Sequence, residues 1–243
     1  MELYIIRHAQ STNNALPDER DRVRDPHLTE IGRRQAELLA GHLATGRDLH
    51  PQPTRAWNAP PSANGYGIQR LYASAMRRAL QTAWPVGQAL GVQPEVWLDI
   101  HEHGGIWLDH GEEGGIRGYG GITREELAAE FPGYGMPDEI TGAGWWHGSH
   151  EELWAAEARA VRVAETLRGW GQRDEKIAII THGAFATFLL RALLGGRFEP
   201  SAAQPIFYHL DNTSISLVRF RRNNELSVRY LNRLDHLSAD LIT

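Results

Sequence analysis

Leu3-Tyr4-Ile5-Ile6-Arg7-His8-Ala9 and Ile177-Ala178-Ile179-Ile180-Thr181-His182-Gly183 say the same thing twice: a short apolar run ends in a histidine followed by a small residue. Runs of this length, apolar at successive positions, read as strands buried on both faces of a parallel sheet. Ligands bind outside the carboxyl ends of such strands, so both imidazoles fall where a site is expected. Lys176 to Thr181 is the strongest buried-strand run in the chain.

Strand and helix signals alternate around these two runs. Thr29 to Ala44 carries a helical pattern through Ile31, Ala36, Leu39, Ala40 and Leu43, with Thr29 as its cap. Arg70 to Ala73 reads as a strand, followed from Ser74 by a helix with Met76, Ala79, Leu80, Ala83 and Leu90 on one face. Val96 to Ile100 is a weaker strand candidate. Glu151 to Trp170 and Ala184 to Leu194 read as helices, the second ended by Gly195-Gly196. Ser214 to Phe220 and Leu226 to Leu231 flank Asn223-Asn224 as a hairpin. The alternation predicts an α/β fold, a parallel sheet covered by helices.

Two stretches break the pattern. Gly46 to Gly67 holds Pro51, Pro53, Pro60 and Pro61 and reads as a long loop. Gly104 to Gly121 contains eight glycines. Both are read as insertions, at about 46–68 and 103–150, in one domain spanning 1–243. A chain of 243 residues, 42% hydrophobic and 23% charged, can bury a sizeable core without staples. Cysteine is absent, which excludes disulfides, thiolate metal sites and cysteine nucleophiles. Met1 runs into Glu-Leu-Tyr-Ile with no basic region or cleavage site, and no run of 18 apolar residues occurs. The expectation is a cytoplasmic protein with no membrane partner. A net charge of -5 gathers no nucleic acid, so any anion site must be local.

His8 and His182 lack a neighbouring ligand at metal-binding spacing, and His101-Glu102-His103 is too contiguous to converge on one ion from a regular strand. No metal and no cofactor are therefore expected. Arg7 precedes His8, and Arg77-Arg78 opens the helix after the second strand. Guanidinium forks match phosphoryl oxygens and keep their charge, and helix starts after His8 and His182 would add backbone N–H donors. The chemistry implied is phosphate binding.

Arg7-His8-Ala9-Gln10-Ser11-Thr12-Asn13-Asn14, with Thr181-His182-Gly183 far downstream, resembles the histidine phosphatases, the phosphoglycerate mutase-like superfamily. Supporting segments are similar: Pro26-His27-Leu28-Thr29-Glu30-Ile31-Gly32-Arg33-Arg34-Gln35-Ala36, and Tyr72-Ala73-Ser74-Ala75-Met76-Arg77-Arg78-Ala79-Leu80-Gln81-Thr82-Ala83. The resemblance implies a three-layer α/β/α sandwich with a mostly parallel sheet, and it selects Arg78 over Arg77 as the pocket arginine. It also implies His8 as the nucleophile, with Arg7, Arg78 and His182 holding the phosphoryl oxygens. Asn14, Gln10 and Gly183 fall at binding positions, Asn14 having a capping role as its alternative. Ala9 stands where the family has glycine, and its methyl is expected beside the phosphate at an ordinary backbone angle.

Glu102 matches the family's proton donor, with Asp99, Glu112 and Glu113 as rivals. The implied reaction is hydrolysis of a small phosphate monoester through phosphohistidine, needing neutral His8 and protonated Glu102 together and hence a bell-shaped rate profile. Gln10, and the lack of a Glu-Arg-x-Tyr-Gly segment around Glu102, favour a phosphatase over a phosphoglycerate mutase. A non-catalytic binder of phosphorylated ligands is the third reading, and it predicts loss of a core residue. Trp107, Tyr119, Trp145 and Trp146 are expected either to form a lid over the leaving group or to pack a loop-rich subdomain. Pairing of two copies, as a homodimer, through the 46–67 loop or the carboxyl-terminal hairpin is compatible with the sequence.

Overall fold

The alternation of side chains along the first strand builds the layers. In the computed structural model, which describes residues 1–46, 65–195, 206–221 and 225–243, β1 (Glu2–Arg7) sends Tyr4 and Ile6 into one apolar core and Leu3 and Ile5 into another. The first core lies under α1 (Glu30–Thr45) and α2 (Arg77–Leu90), through Leu39, Leu43, Leu80 and Val86. The second lies under α5 (Leu153–Trp170) and α6 (Gly183–Leu194), through Ala160, Val163, Phe185 and Leu189. Burying one such leucine or phenylalanine contributes about 1.5–3 kcal/mol, so two cores around one sheet hold three layers together.

β2 (Arg70–Ala73), β3 (Pro94–Val96), β6 (Lys176–Thr181), β7 (Ile215–Phe220) and β8 (Leu226–Arg233) complete the sheet, in the order β3-β2-β6-β1-β7-β8. The first four of that order are mutually parallel, while β7 runs antiparallel to β1 and β8 to β7. The expected mostly parallel α/β sandwich is the observed one. The expected hairpin forms, and its Asn223-Asn224 turn lies outside the described residues, as does the proline-rich stretch 47–64.

Some boundaries move. The third strand is Pro94–Val96, not Val96 to Ile100, because Leu98–Ile100 coils into a 3₁₀ turn. The helix read from Ser74 begins at Arg77, leaving the Ser74 hydroxyl free for another partner. α6 ends where expected, at Gly195, which takes a φ of 79°.

Within 103–150, β4 (Trp107–Asp109) pairs antiparallel with β5 (Ile116–Gly118) on either side of the single turn α3 (Gly111–Gly114), and α4 (Arg124–Glu130) follows. Ile106, Ile122, Leu127, Phe131 and Trp145 join the core under α2, so this segment packs onto the sandwich. No helix among the described residues is long and apolar enough to cross a membrane.

Polar side chains of α1 and α2 then pin the loop leaving β1. Gln35 Oε1 accepts from Gln10 N–H, and Thr82 Oγ1 accepts from Ala9 N–H. Gly32, just inside α1, lets the helix approach so closely that a Cβ there would lie 2.0 Å from the Gln10 carbonyl oxygen. Gly32→Ala should therefore destabilise the protein by about 1–3 kcal/mol in urea unfolding. Gly41→Ala, in the same helix but with nothing within 4 Å of the added methyl, should stabilise it by about 0.5–1 kcal/mol. Equal effects of the two would refute the close-approach reading.

Candidate active site

Arg7 and Thr181 are register partners at the ends of parallel neighbours β1 and β6, so the two residues that follow, His8 and His182, emerge side by side. Their rings lie 4.9 Å apart, and both are buried. A cavity of about 310 Å³ opens at this edge. Its wall includes Arg7, His8, Arg78, Glu102, His103 and Gly183, the segments around Asn13 and Arg22, and 207–210.

Two hydrogen bonds settle the state of His8. Nδ1 is 2.7 Å from the Ala9 carbonyl, which can only accept, so Nδ1 carries the proton. Nε2 is 3.1 Å from Nε–H of Arg78, which can only donate, so Nε2 holds a lone pair. The imidazole is neutral, and its free lone pair belongs to the nitrogen beside the arginine. Burial, then the Arg78 and Arg7 guanidiniums, push the His8 pKa well below its ordinary value, against the Ala9 bond. The backbone is held as well: Asn212 Nδ2 donates to the His8 carbonyl, and Thr213 N–H, at a φ of 60°, donates to the Arg7 carbonyl.

His182 sits fully buried against His8 and is not on the cavity wall. Its Nε2 is 2.8 Å from the Ser74 hydroxyl, whose oxygen also accepts from Met76 N–H. A hydroxyl can donate to Nε2 or accept from it, so both neutral tautomers satisfy this bond, and Nδ1 has no hydrogen-bond partner among the described residues. Burial, then Arg78 and His8, lower the His182 pKa strongly.

Arg7 Nη1 donates to the Leu210 carbonyl at 2.7 Å, while its buried Nε has no hydrogen-bond partner among the described residues. Arg78 faces the cavity, whereas Arg77 turns away to ion pairs with Asp25, Glu126 and Glu130.

Glu102 is the one carboxylate on the wall among the described residues, and Asp99, Glu112 and Glu113 are not on it. Its Oε1 accepts from His103 N–H and Phe185 N–H at 2.9 Å each, and its Oε2 from Ala184 N–H at 3.2 Å. The start of α6 thus orients Glu102. The sequence reading had those N–H groups facing phosphate, but the carboxylate occupies them. Behind this loop, buried Arg159 of α5 donates to the Asp99 and His101 carbonyls and forks onto Glu151. Burial alone would raise the Glu151 carboxyl, yet the Arg159 and His101 contacts outweigh it and bring it to about 2.

Three further expectations change. Gln10 is not on the wall, and its Oε1 accepts from the Thr29 hydroxyl at 2.6 Å. Asn14 borders the cavity, but its Oδ1 accepts from Ser11 N–H and Oγ–H as part of a capping box. The Ala9 methyl packs with Leu28 and Ala36 rather than beside the site, at an ordinary backbone angle. The tryptophans divide: Trp107 lines the cavity, while Trp145 is buried against His101. Asn13, Arg22, Arg24, His103 and His209 on the wall escaped the sequence reading. Arg22 and Arg24 sit in a stretch of alternating charges, Asp18 to Asp25, that reads as a solvated loop.

A model of the histidine phosphatase superfamily (branch 1) matches residues 3–51 and 54–233. The chain belongs to that superfamily. No curated protein sequence matches it. Among solved histidine phosphatase-like structures, a phosphoserine phosphatase from Entamoeba histolytica is 18% identical, with 98% of this chain and 99% of that one covered and a TM-score of 0.57. A mycobacterial glucosyl-3-phosphoglycerate phosphatase is 20% identical over 96% and 99%, with a TM-score of 0.56. An ecdysone phosphate phosphatase from Bombix mori is 14% identical over 98% and 95%, with a TM-score of 0.59. At these identities the likeness is one of fold.

The two buried histidines should make this member of the superfamily acid-sensitive. Both have lowered folded pKa values, so their contribution to stability is complete above the unfolded value of about 6.5 and is lost as pH falls toward the folded values. The unfolding free energy should drop between pH 7.5 and 5.5 by about 1 kcal/mol for each. A flat profile in urea unfolding over that range would refute neutral burial.

Proposed function

We propose that this enzyme hydrolyses small phosphate monoesters through a phosphohistidine intermediate on Nε2 of His8. The observation that carries the reading is the Nε2 lone pair, set by the opposing bonds to Ala9 and Arg78 at the cavity wall. The names of the three relatives agree on phosphate ester hydrolysis and differ in the leaving group.

The phosphoryl group docks on Arg7 and Arg78, and Nε–H of Arg78 turns from Nε2 to a phosphoryl oxygen, freeing the lone pair for in-line attack. The N–P bond forms as the P–O bond to the leaving group breaks, and Glu102 supplies the proton to the departing oxygen. Nδ1–H stays on the Ala9 carbonyl, so the positive ring of phosphohistidine keeps an acceptor. Nδ1 of His182, buried beside His8 without a hydrogen-bond partner among the described residues, gives a third donor when it carries the ring proton and the phosphoryl group reaches it. Water then attacks phosphorus, Glu102 takes its proton, and inorganic phosphate leaves neutral His8 behind. Every group in the scheme belongs to this chain.

His8→Ala should abolish phosphate release, and Arg78→Ala should lower kcat about a hundred- to a thousandfold. Glu102→Gln should cost about a hundred- to ten-thousandfold on alkyl phosphates and much less on p-nitrophenyl phosphate, whose leaving group needs little help from an acid. Quenching with denaturant should trap an acid-labile, alkali-stable phosphoenzyme that His8→Ala lacks. Phosphate release by His8→Ala at the wild-type rate would overturn the reading, and transfer to a second phosphoglycerate in place of water would mark a mutase.

A further inference from the structure

Arg22 and Arg24 lie on the cavity wall yet take no part in the scheme above. Neither forms an ion pair among the described residues, although carboxylates are near in sequence and space. Asp18 is taken by Arg20, and Asp25 and Glu126 by Arg77, with Arg24 reaching Glu126 only through its field. Their backbone is held in place. Asn13 clamps Val23, the residue between them, by donating to its carbonyl at 2.8 Å and accepting from its N–H at 3.0 Å. Asp25, the next residue, accepts from Arg77 N–H.

The guanidiniums rest on aromatic faces supplied by the glycine-rich segment. Arg22 Cζ is 5.9 Å from the Trp107 ring centre and Arg24 Cζ is 4.9 Å from that of Tyr119. Stacking of this kind orients a guanidinium while its edge N–H groups remain available to a planar or tetrahedral anion.

Charge balance then points to the ligand. Four guanidiniums, those of Arg7, Arg22, Arg24 and Arg78, face one carboxylate, Glu102, and both active-site imidazoles are neutral. A phosphoryl group brings about two negative charges and leaves the pocket positive. In a chain of net charge -5 this excess is local, and it favours a ligand with a second anionic group. Building on the phosphatase reading, we propose that Arg22 and Arg24 form a second anion subsite, and that the substrate is a small phosphate monoester whose leaving group itself carries a carboxylate or a second phosphate.

3-Phosphoglycerate and glycerol 3-phosphate differ at carbon 1, a carboxylate in one and a hydroxymethyl in the other, and propane-1,3-diol bisphosphate supplies the phosphate alternative. The wild-type enzyme should favour the carboxylate or the bisphosphate over glycerol 3-phosphate by roughly tenfold to a hundredfold in kcat/KM, through KM. Arg22→Gln with Arg24→Gln should collapse that ratio toward one. Arg22→Glu with Arg24→Glu should turn the preference toward phosphoethanolamine, whose leaving group is cationic. Binding of the same esters to His8→Ala by calorimetry reads the subsite without turnover. A preference there with no phosphate release by the wild type would sustain the subsite and sink the phosphatase reading. A ratio near one in the wild type, or one unmoved by the Gln pair, would overturn the subsite.

Discussion

The register between β1 and β6 is the constraint on which the rest depends. Parallel pairing of Arg7 with Thr181 brings two strand ends level, so the histidines that follow meet at 4.9 Å. A slip of one residue in either strand would exchange the two faces and send Tyr4 and Ile6, or Ala178 and Ile180, into the wrong core. The hydrophobic cores on both sides therefore enforce the geometry of the polar site, which the second core also borders through Leu210. Two layers of helices make the register costly to change, and the site inherits that rigidity.

Burial alone makes an imidazole a poor cation, and the arginines beside His8 sharpen the effect. The same guanidiniums that the proposed reaction uses to attract a phosphoryl group favour the unprotonated imidazole, so in that reaction binding and activation share one cause. Arg78 donates to the lone pair that the proposed reaction uses for attack. In that reaction, an anion that draws its Nε–H away exposes the lone pair in the same movement. Glu102 is held differently, by backbone N–H groups of α6 and by a loop that Arg159 ties to α5. Nucleophile and carboxylate thus rest on opposite ends of the same strand-to-helix turn, one through its neighbour His182 and the other through Ala184 and Phe185.

The strand and helix pattern was legible because it depends on periodicity, which local sequence carries. Lys176–Thr181 and Gly183–Leu194 emerge within a residue of where their apolar residues put them. The short β3 starts two residues and ends four residues before its expected bounds, because three residues of strand carry too little pattern to outweigh a neighbouring 3₁₀ turn. Ser74 looked like a helix start and instead orients His182, a contact across 108 positions of sequence that no local rule contains. Ala9 and Gln10 follow His8 in sequence yet make their contacts with the start of α1 and the residues before it, because the loop leaving β1 turns toward that helix.

The sequence by itself determined which residues were candidates for chemistry: residue type and position within an element put forward two strand-end histidines, Arg7 and the Arg77-Arg78 pair, while resemblance to the family singled out Arg78 and Glu102. Tertiary structure alone decided how they are used. The tautomer of His8, the place of Glu102 rather than Asp99, Glu112 or Glu113 on the cavity wall, and the turn of Arg22 and Arg24 toward the cavity all depend on partners distant in the chain. Hydrogen bonds and charges act over a few ångströms of space, and only the folded chain says which groups are that close.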